Sequence, residues 1–235
     1  MLSRNQTVLS FALQVLRMEF FHRVTSSPKH LGILPGTFNP VTLAHLSLAH
    51  AALPLVDEIL FVLPKIFPHK EYSGATFDKR IRILQAATAG AGPFSTASSE
   101  GGLFLDIARE CRQAYGEAIQ LSFLCGCDAA DRIINWNYDD PNTCASMLRE
   151  FHLLVAARRG EYQPPPEFAH AIHRLEIGTA WNTVSATDVR RRIGCGEPWE
   201  HLVPSAAHDL VRQAYAAAGS GEALRQATEK IRLPH

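Results

Sequence analysis

Two short stretches carry side chains suited to phosphate chemistry. In the first, Pro35-Gly36-Thr37-Phe38-Asn39-Pro40 interrupts the apolar run Leu31–Leu34 and leads into a helix-like pattern bearing Thr42 and His45. A strand, a tight turn and a helix start thus deliver a hydroxyl and an imidazole at a helix N-terminus. The first N–H groups of a helix have no intrahelical partner and its dipole favours negative charge, so such a place binds phosphate. In the second stretch Ser185 is a good N-cap, Asp188 completes a weak capping box, and Arg190 lies one turn inside. It reads either as a capped helix with a basic exposed face or as a second helix start suited to a polyphosphate tail.

The elements that must position these residues follow an alternating pattern. Strand-like runs are expected at Leu31–Leu34, Glu58–Leu63, Phe94–Ser98, Ile119–Leu124, Phe151–Ala157 and Leu175–Ile177. Helical patterns are expected at Leu43–Leu53, Phe77–Ala89, Leu103–Tyr115, Ala186–Ile193, Ser205–Ala218 and Glu222–Ile231. Short apolar runs bounded by turn residues and separated by helices predict a parallel sheet covered on both faces. That is the doubly wound α/β class, whose ligands sit at the carboxyl ends of the strands. Residues 1–30 are expected to be a helical extension, with an amphipathic helix over Asn5–Val24. Residues 31–204 are expected to form the α/β domain and 205–235 to supply C-terminal helices packed on it.

Composition narrows the function. The 23 basic and 23 acidic residues cancel, so no electrostatic footprint for a long nucleic acid exists. No apolar stretch approaches the roughly 18–20 residues of a membrane span. The five cysteines include no CxxC pair, which reads as buried reduced thiols and a cytoplasmic protein. A homo-oligomer is compatible with the sequence.

With both stretches in view the chain resembles the nucleotidylyltransferase superfamily, and within it the nicotinate or nicotinamide mononucleotide adenylyltransferases. Their G-G-[ST]-F-[DN]-P-x-[HT]-x-G-H segment corresponds to Pro35 through His45, and their I-S-S-T-x-x-R segment to Val184-Ser185-Ala186-Thr187-Asp188-Val189-Arg190. Between them Pro68-His69-Lys70 resembles a P-H-K loop, and Gly126-Cys127-Asp128 a G-x-D after a strand. Trp136 and His201-Leu202-Val203-Pro204 also fall in the family's order.

The resemblance implies a Rossmann-like fold and transfer of the adenylyl group of ATP to a pyridine mononucleotide, with release of pyrophosphate and without a covalent intermediate. It assigns His45, Thr42, Arg190 and Lys70 to catalysis. Gly36, Thr37, Phe38, His45, Gly126, Asp128, Ser185, Thr187 and Arg190 would bind ATP. Asn39, His69, Lys70, Asp106 and Trp136 would meet the acceptor. Mg²⁺ would be held mainly by substrate phosphates.

The chain departs from the family in four places. Pro35 and Ala44 stand where glycines are usual, Ala186 replaces a serine, and Gly101-Gly102-Leu103-Phe104-Leu105-Asp106 replaces an S-Y-T-x-D-T segment, keeping only the aspartate. Two further readings therefore stand beside the first: transfer to another phosphate acceptor such as phosphopantetheine, or a nucleotide-binding paralogue without catalysis.

Overall fold

A computed structural model describes residues 17–24, 27–66, 74–135, 143–156, 162–181 and 183–215. Its strands are β1 (Glu19–His22), β2 (His30–Pro35), β3 (Glu58–Pro64), β4 (Phe94–Ser99), β5 (Gln120–Gly126), β6 (His152–Ala156) and β7 (Ile172–Leu175). They form one sheet in the order β1-β4-β3-β2-β5-β6-β7, parallel throughout except where β1 runs antiparallel to β4. From β2 the chain moves outward through β3 to β4, then returns to β5 beside β2 and continues to β7. Strand order therefore reverses between β2 and β5, and a ligand crevice opens at their carboxyl ends.

The apolar strands are continuous because both faces are covered. Along β3, Ile59, Phe61 and Leu63 enter the core on one face, while Leu60 and Val62 enter the core on the other. The helices are α1 (Leu43–Ala52), α2 (Phe77–Thr88), α3 (Phe104–Tyr115), α4 (Cys127–Ile134), α5 (Thr143–Glu150) and α6 (Ala186–Cys195). Residues 208–215 are also helical. Residues of α1, α2, α6 and the 208–215 helix join the Ile59/Phe61 core, and α3, α4 and α5 join the other. Each buried aromatic such as Phe61 contributes on the order of 3–5 kcal/mol relative to alanine. The buried Cys111 and Cys125 pack in the second core, where burial holds the Cys125 thiol up at about 12.

The structure corrects several expectations. Glu19–His22, assigned to the amphipathic helix, is an edge strand. Met18 and Phe20 pack against one core and Phe21 against the other, a period of two that suits a strand. Residues 5–16 of that predicted helix lie outside the described residues. The last strand is Ile172–Leu175, three residues before the one expected, and α4 and α5 were not foreseen. The Ser205 helix begins as a 3-10 turn at Ser205–Ala207, and the predicted Glu222–Ile231 helix lies outside the described residues.

Opposite the crevice, at the amino ends of the strands, histidines gather. The His30 Nε2 lies 2.8 Å from Ser122 Oγ, and the His152 and His173 rings meet edge to face with centroids 5.5 Å apart. Burial, followed by neighbouring His173, holds both His30 and His152 below their ordinary range; His30 also feels an opposing pull from Asp57, and His152 a further push from His30 and His170. In the unfolded chain these groups titrate near pH ~6.5, so between that value and the lower folded ones the unfolded chain binds more protons. Their contribution is complete above about pH 6.5 and is lost as pH falls below it. Urea midpoints measured at pH 7.5 and 5.5 should therefore drop toward acid, and His173→Gln should shrink that drop.

Candidate nucleotide site at the sheet switch point

The Gly36 N–H donates to Val62 O at 3.0 Å, the last rung of β2 against β3. Successive residues of a strand address opposite neighbours, so Pro35 faces the β5 side. There the β2–β5 register ends at Ile33 and Phe123. The donor that proline lacks is the one that would have extended this pairing, so β2 parts from β5 before it parts from β3. Ala44 places its methyl group in the core.

Beyond Gly36 the chain turns sharply. Phe38 has φ of 41°, a left-handed conformation that costs a non-glycine residue about 1–2 kcal/mol. Its ring offsets that cost: it is 1% exposed, tilted against Phe61 at 5.8 Å and edge-on to His45 at 5.4 Å. A side chain at Gly36 would stand 3.0 Å from this ring, so any larger residue would press on Phe38.

Thr42 is the N-cap of α1 and is fully buried. Its amide donates to His45 Nδ1 at 3.0 Å, and its hydroxyl lies 2.8 Å from the same nitrogen. An amide N–H can only donate, so Nδ1 is the accepting nitrogen and the ring proton resides on Nε2. The capping pair thereby fixes the tautomer and makes His45 an N–H donor through Nε2.

The second stretch arrives on α6. The Ser185 hydroxyl accepts from the Asp188 amide at 3.1 Å, as an N-cap should. The capping box is only half made: the Asp188 carboxylate turns to Arg192 and then Arg191, whose hydrogen bonds hold its pKa below the ordinary value. Arg191 also pairs with Glu197 at 2.6 Å. Arg190 behaves differently from these two. It reaches back across the fold to donate from Nη1 to Asn39 O at 2.6 Å, with Nη2 3.4 Å from Thr187 Oγ1.

Two participants were missed in the sequence. Arg80 of α2, only 4% exposed, donates from Nη1 to Thr37 O at 2.9 Å. Its signal was an arginine on the helix row that carries Leu84 and Ala87, the buried side. Tyr215 donates to Asn39 Oδ1 at 2.6 Å. Burial pushes its phenol above the ordinary range against the opposing pull of Arg190 and Arg80. Asn39, expected to meet the acceptor, is buried, and its carbonyl and side-chain oxygens accept from Arg190 and Tyr215.

Thr37, Phe38, Asn39, Thr42, His45 and Arg190 therefore converge on one turn, with Ser185 and Thr187 on the helix that brings Arg190. Gly126 caps α4 and Asp128 lies exposed in its first turn, at the carboxyl end of β5 across the crevice. Asp106 sits in the first turn of α3, at the carboxyl end of β4, two strands from β2. Predicted His69, Lys70 and Trp136 lie outside the described residues. Among the described residues no group of three or more His, Cys, Asp or Glu side chains could hold a metal ion.

The sequence pattern of the cytidylyltransferase-like family matches residues 33–192, from β2 through α6, so both limbs of the site fall within it. The chain belongs to the cytidylyltransferase-like family. A protein of Moorella thermoacetica named "probable nicotinate-nucleotide adenylyltransferase" is 31% identical over 206 residues, spanning 80% of this chain and 92% of its own. A Thermoanaerobacter protein of the same name is 30% identical over 199 residues, spanning 78% of this chain and 92% of its own. Among solved structures, Plasmodium falciparum nicotinic acid mononucleotide adenylyltransferase complexed with NaAD superposes with a TM-score of 0.60 at 15% identity, covering 79% of this chain and 95% of that one. Within the cytidylyltransferase-like family this chain is thus a nucleotidyltransferase of the nicotinate-nucleotide adenylyltransferase type, and its Rossmann-like sheet is that of the structural neighbour.

Proposed function

We propose that the crevice binds ATP and that the enzyme transfers its adenylyl group to the phosphate of nicotinate mononucleotide, making a dinucleotide for NAD biosynthesis. The observation that carries this reading is the convergence of the tautomer-fixed His45 and of Arg190 on one turn at the switch point. An acceptor phosphate oxygen attacks the α-phosphorus in line; the new P–O bond forms as the bond to the bridging oxygen breaks, and pyrophosphate leaves. No protein nucleophile takes part, so catalysis is positioning and charge stabilisation.

His45 would donate from Nε2 to the α-phosphate, with Thr42 holding the ring. Gly36, Thr37 and Phe38 would line the phosphates with backbone, and Ser185, Thr187 and Arg190 would receive the β- and γ-phosphates where charge collects on departure. Asp128 would meet the nucleotide ribose, and Gly126 would let it approach. Asp106, His69, Lys70 and Trp136 would meet the acceptor. The converging hydroxyls, imidazole and guanidinium suit phosphate oxygens and form no cage for a metal ion. They fit a Mg²⁺ ion held by phosphate oxygens and water, which would screen charge on the polyphosphate. Among the described residues no helix is long and apolar enough to cross a membrane. We place the enzyme in the cytoplasm, where its free cysteines stay reduced.

Purified protein with Mg-ATP, offered nicotinate mononucleotide, nicotinamide mononucleotide and phosphopantetheine separately, should release pyrophosphate fastest with the first. Preference for phosphopantetheine would move the enzyme to a sister class. Tight ATP binding with no pyrophosphate from any acceptor would leave a nucleotide-binding paralogue.

A further inference from the structure

We infer that Arg80 is a positioning residue for the phosphate-binding turn, acting with Arg190 as the second half of a two-arginine clamp. The inference rests on the ATP site proposed above. Its basis is that two guanidinium groups from different helices hold successive parts of the same turn: Arg80 of α2 on the Thr37 carbonyl at 2.9 Å, and Arg190 of α6 on the Asn39 carbonyl at 2.6 Å. Between those two carbonyls lies Phe38, the residue in the left-handed conformation. A backbone so placed is held only when its surroundings over-determine it.

The geometry states what Arg80 does. In a trans peptide the C=O and the following N–H point in opposite directions. Fixing the Thr37 carbonyl on a buried guanidinium therefore aims the Phe38 N–H away from α2. Rotation of that peptide would break a charge-assisted hydrogen bond inside the core, where such bonds count for more than in water. Arg80 lies in the interior, 4% exposed, and its guanidinium also stands 5.7 Å from the Phe77 ring. An arginine buried in this way is costly unless it is well engaged, and a leucine would fill the α2 stripe more cheaply.

Arg190 differs in exposure as well as position. It is half-buried at the mouth, with Nη2 beside the exposed Thr187 hydroxyl, so it can address a polyphosphate directly. Arg80, behind the turn, works through the Thr37–Phe38 peptide. Asn39 is further braced from the side by Tyr215, and Gly74 packs so close that a side chain there would stand 2.9 Å from Asn39 Oδ1.

The test compares wild type, Arg80→Met and Arg80→Lys in steady state, varying ATP and nicotinate mononucleotide in turn, with thermal midpoints recorded alongside. Losing a charge-assisted hydrogen bond that orders the turn should raise the ATP KM about 10-fold or more in Arg80→Met. The acceptor KM should stay within about twofold, since the acceptor side does not depend on this peptide. Arg80→Lys keeps the charge and should recover part of the ATP KM. A merely structural role would lower the thermal midpoint and the active fraction while leaving both KM values alone, and that result overturns the inference. So does an equal rise in both KM values. If Arg80→Met does not fold, an unchanged ATP KM in Arg80→Lys overturns it instead. Absence of turnover in wild type would sink the proposed reaction, not the clamp; calorimetric ATP binding by the same variants then decides the clamp, with unchanged affinity overturning it.

Discussion

His45→Ala should lower kcat by about 100-fold or more, the scale of removing one preorganised donor from a developing anion. The expected loss follows from the way the imidazole is held. The Thr42 amide, a group that can only donate, occupies Nδ1 at 3.0 Å, and the ring is edge-on to the buried Phe38 at 5.4 Å. The Nε2 donor is therefore set before substrate arrives and costs no reorganisation during reaction. Alanine is a good helix former, so α1 should persist and the ATP KM should change far less than kcat. Steady-state kinetics with a thermal melt separate these effects. Turnover within about threefold of wild type would remove His45 from the chemistry.

Arg190→Ala should reduce kcat/KM by about 100- to 1,000-fold, because it withdraws a cation from the leaving pyrophosphate and also frees the Asn39 carbonyl. Arg190→Lys should recover only a small part. One nitrogen of the guanidinium is already engaged on Asn39, and a lysine ammonium cannot hold that carbonyl and present a second, fixed donor to phosphate. The adjacent arginines are the controls. Arg191 and Arg192 are tied to Asp188 and Glu197 at the protein surface, so alanine at either should leave kcat/KM within about threefold. A matching loss at all three positions would mean that a general basic field, rather than Arg190 itself, serves the reaction.

Much of this architecture was legible in the sequence where physics is local. The strands β2, β3, β5 and β6 announced themselves as short apolar runs because a sheet covered on both faces leaves no polar alternation. Less regular elements were not so plain. In β4, Ser95, Thr96, Ser98 and Ser99 are all buried, with Ser95 donating to Glu58 Oε1 at 2.6 Å and Ser99 to Glu110 Oε1 at 2.7 Å. Such a strand depends on partners distant in sequence. In sequence the edge strand β1 reads as helix because its apolar residues continue an apolar stretch, and only pairing with β4 reveals their period of two. At eight residues each, α4 and α5 are too short to establish a helical period.

The site divides in the same way. Thr42, His45, Ser185 and Arg190 were readable because they act within contiguous motifs. Arg80 and Tyr215 were not, because they grip the turn across 43 and 176 residues of sequence. Arg80 in particular binds a backbone carbonyl, and any residue at position 37 would offer one. The effect of Pro35, which leaves β2 paired with β3 but no longer with β5, shows only in the register of the sheet.

Direct attack by the acceptor sends the α-phosphate of ATP into the dinucleotide and nowhere else. With ATP labelled at that phosphorus and nicotinate mononucleotide as acceptor, the label should appear in the dinucleotide in one-to-one proportion with pyrophosphate released. None should be found on the protein, since the acceptor oxygen attacks directly. Label recovered as free AMP, or bound covalently to the chain, would contradict the account.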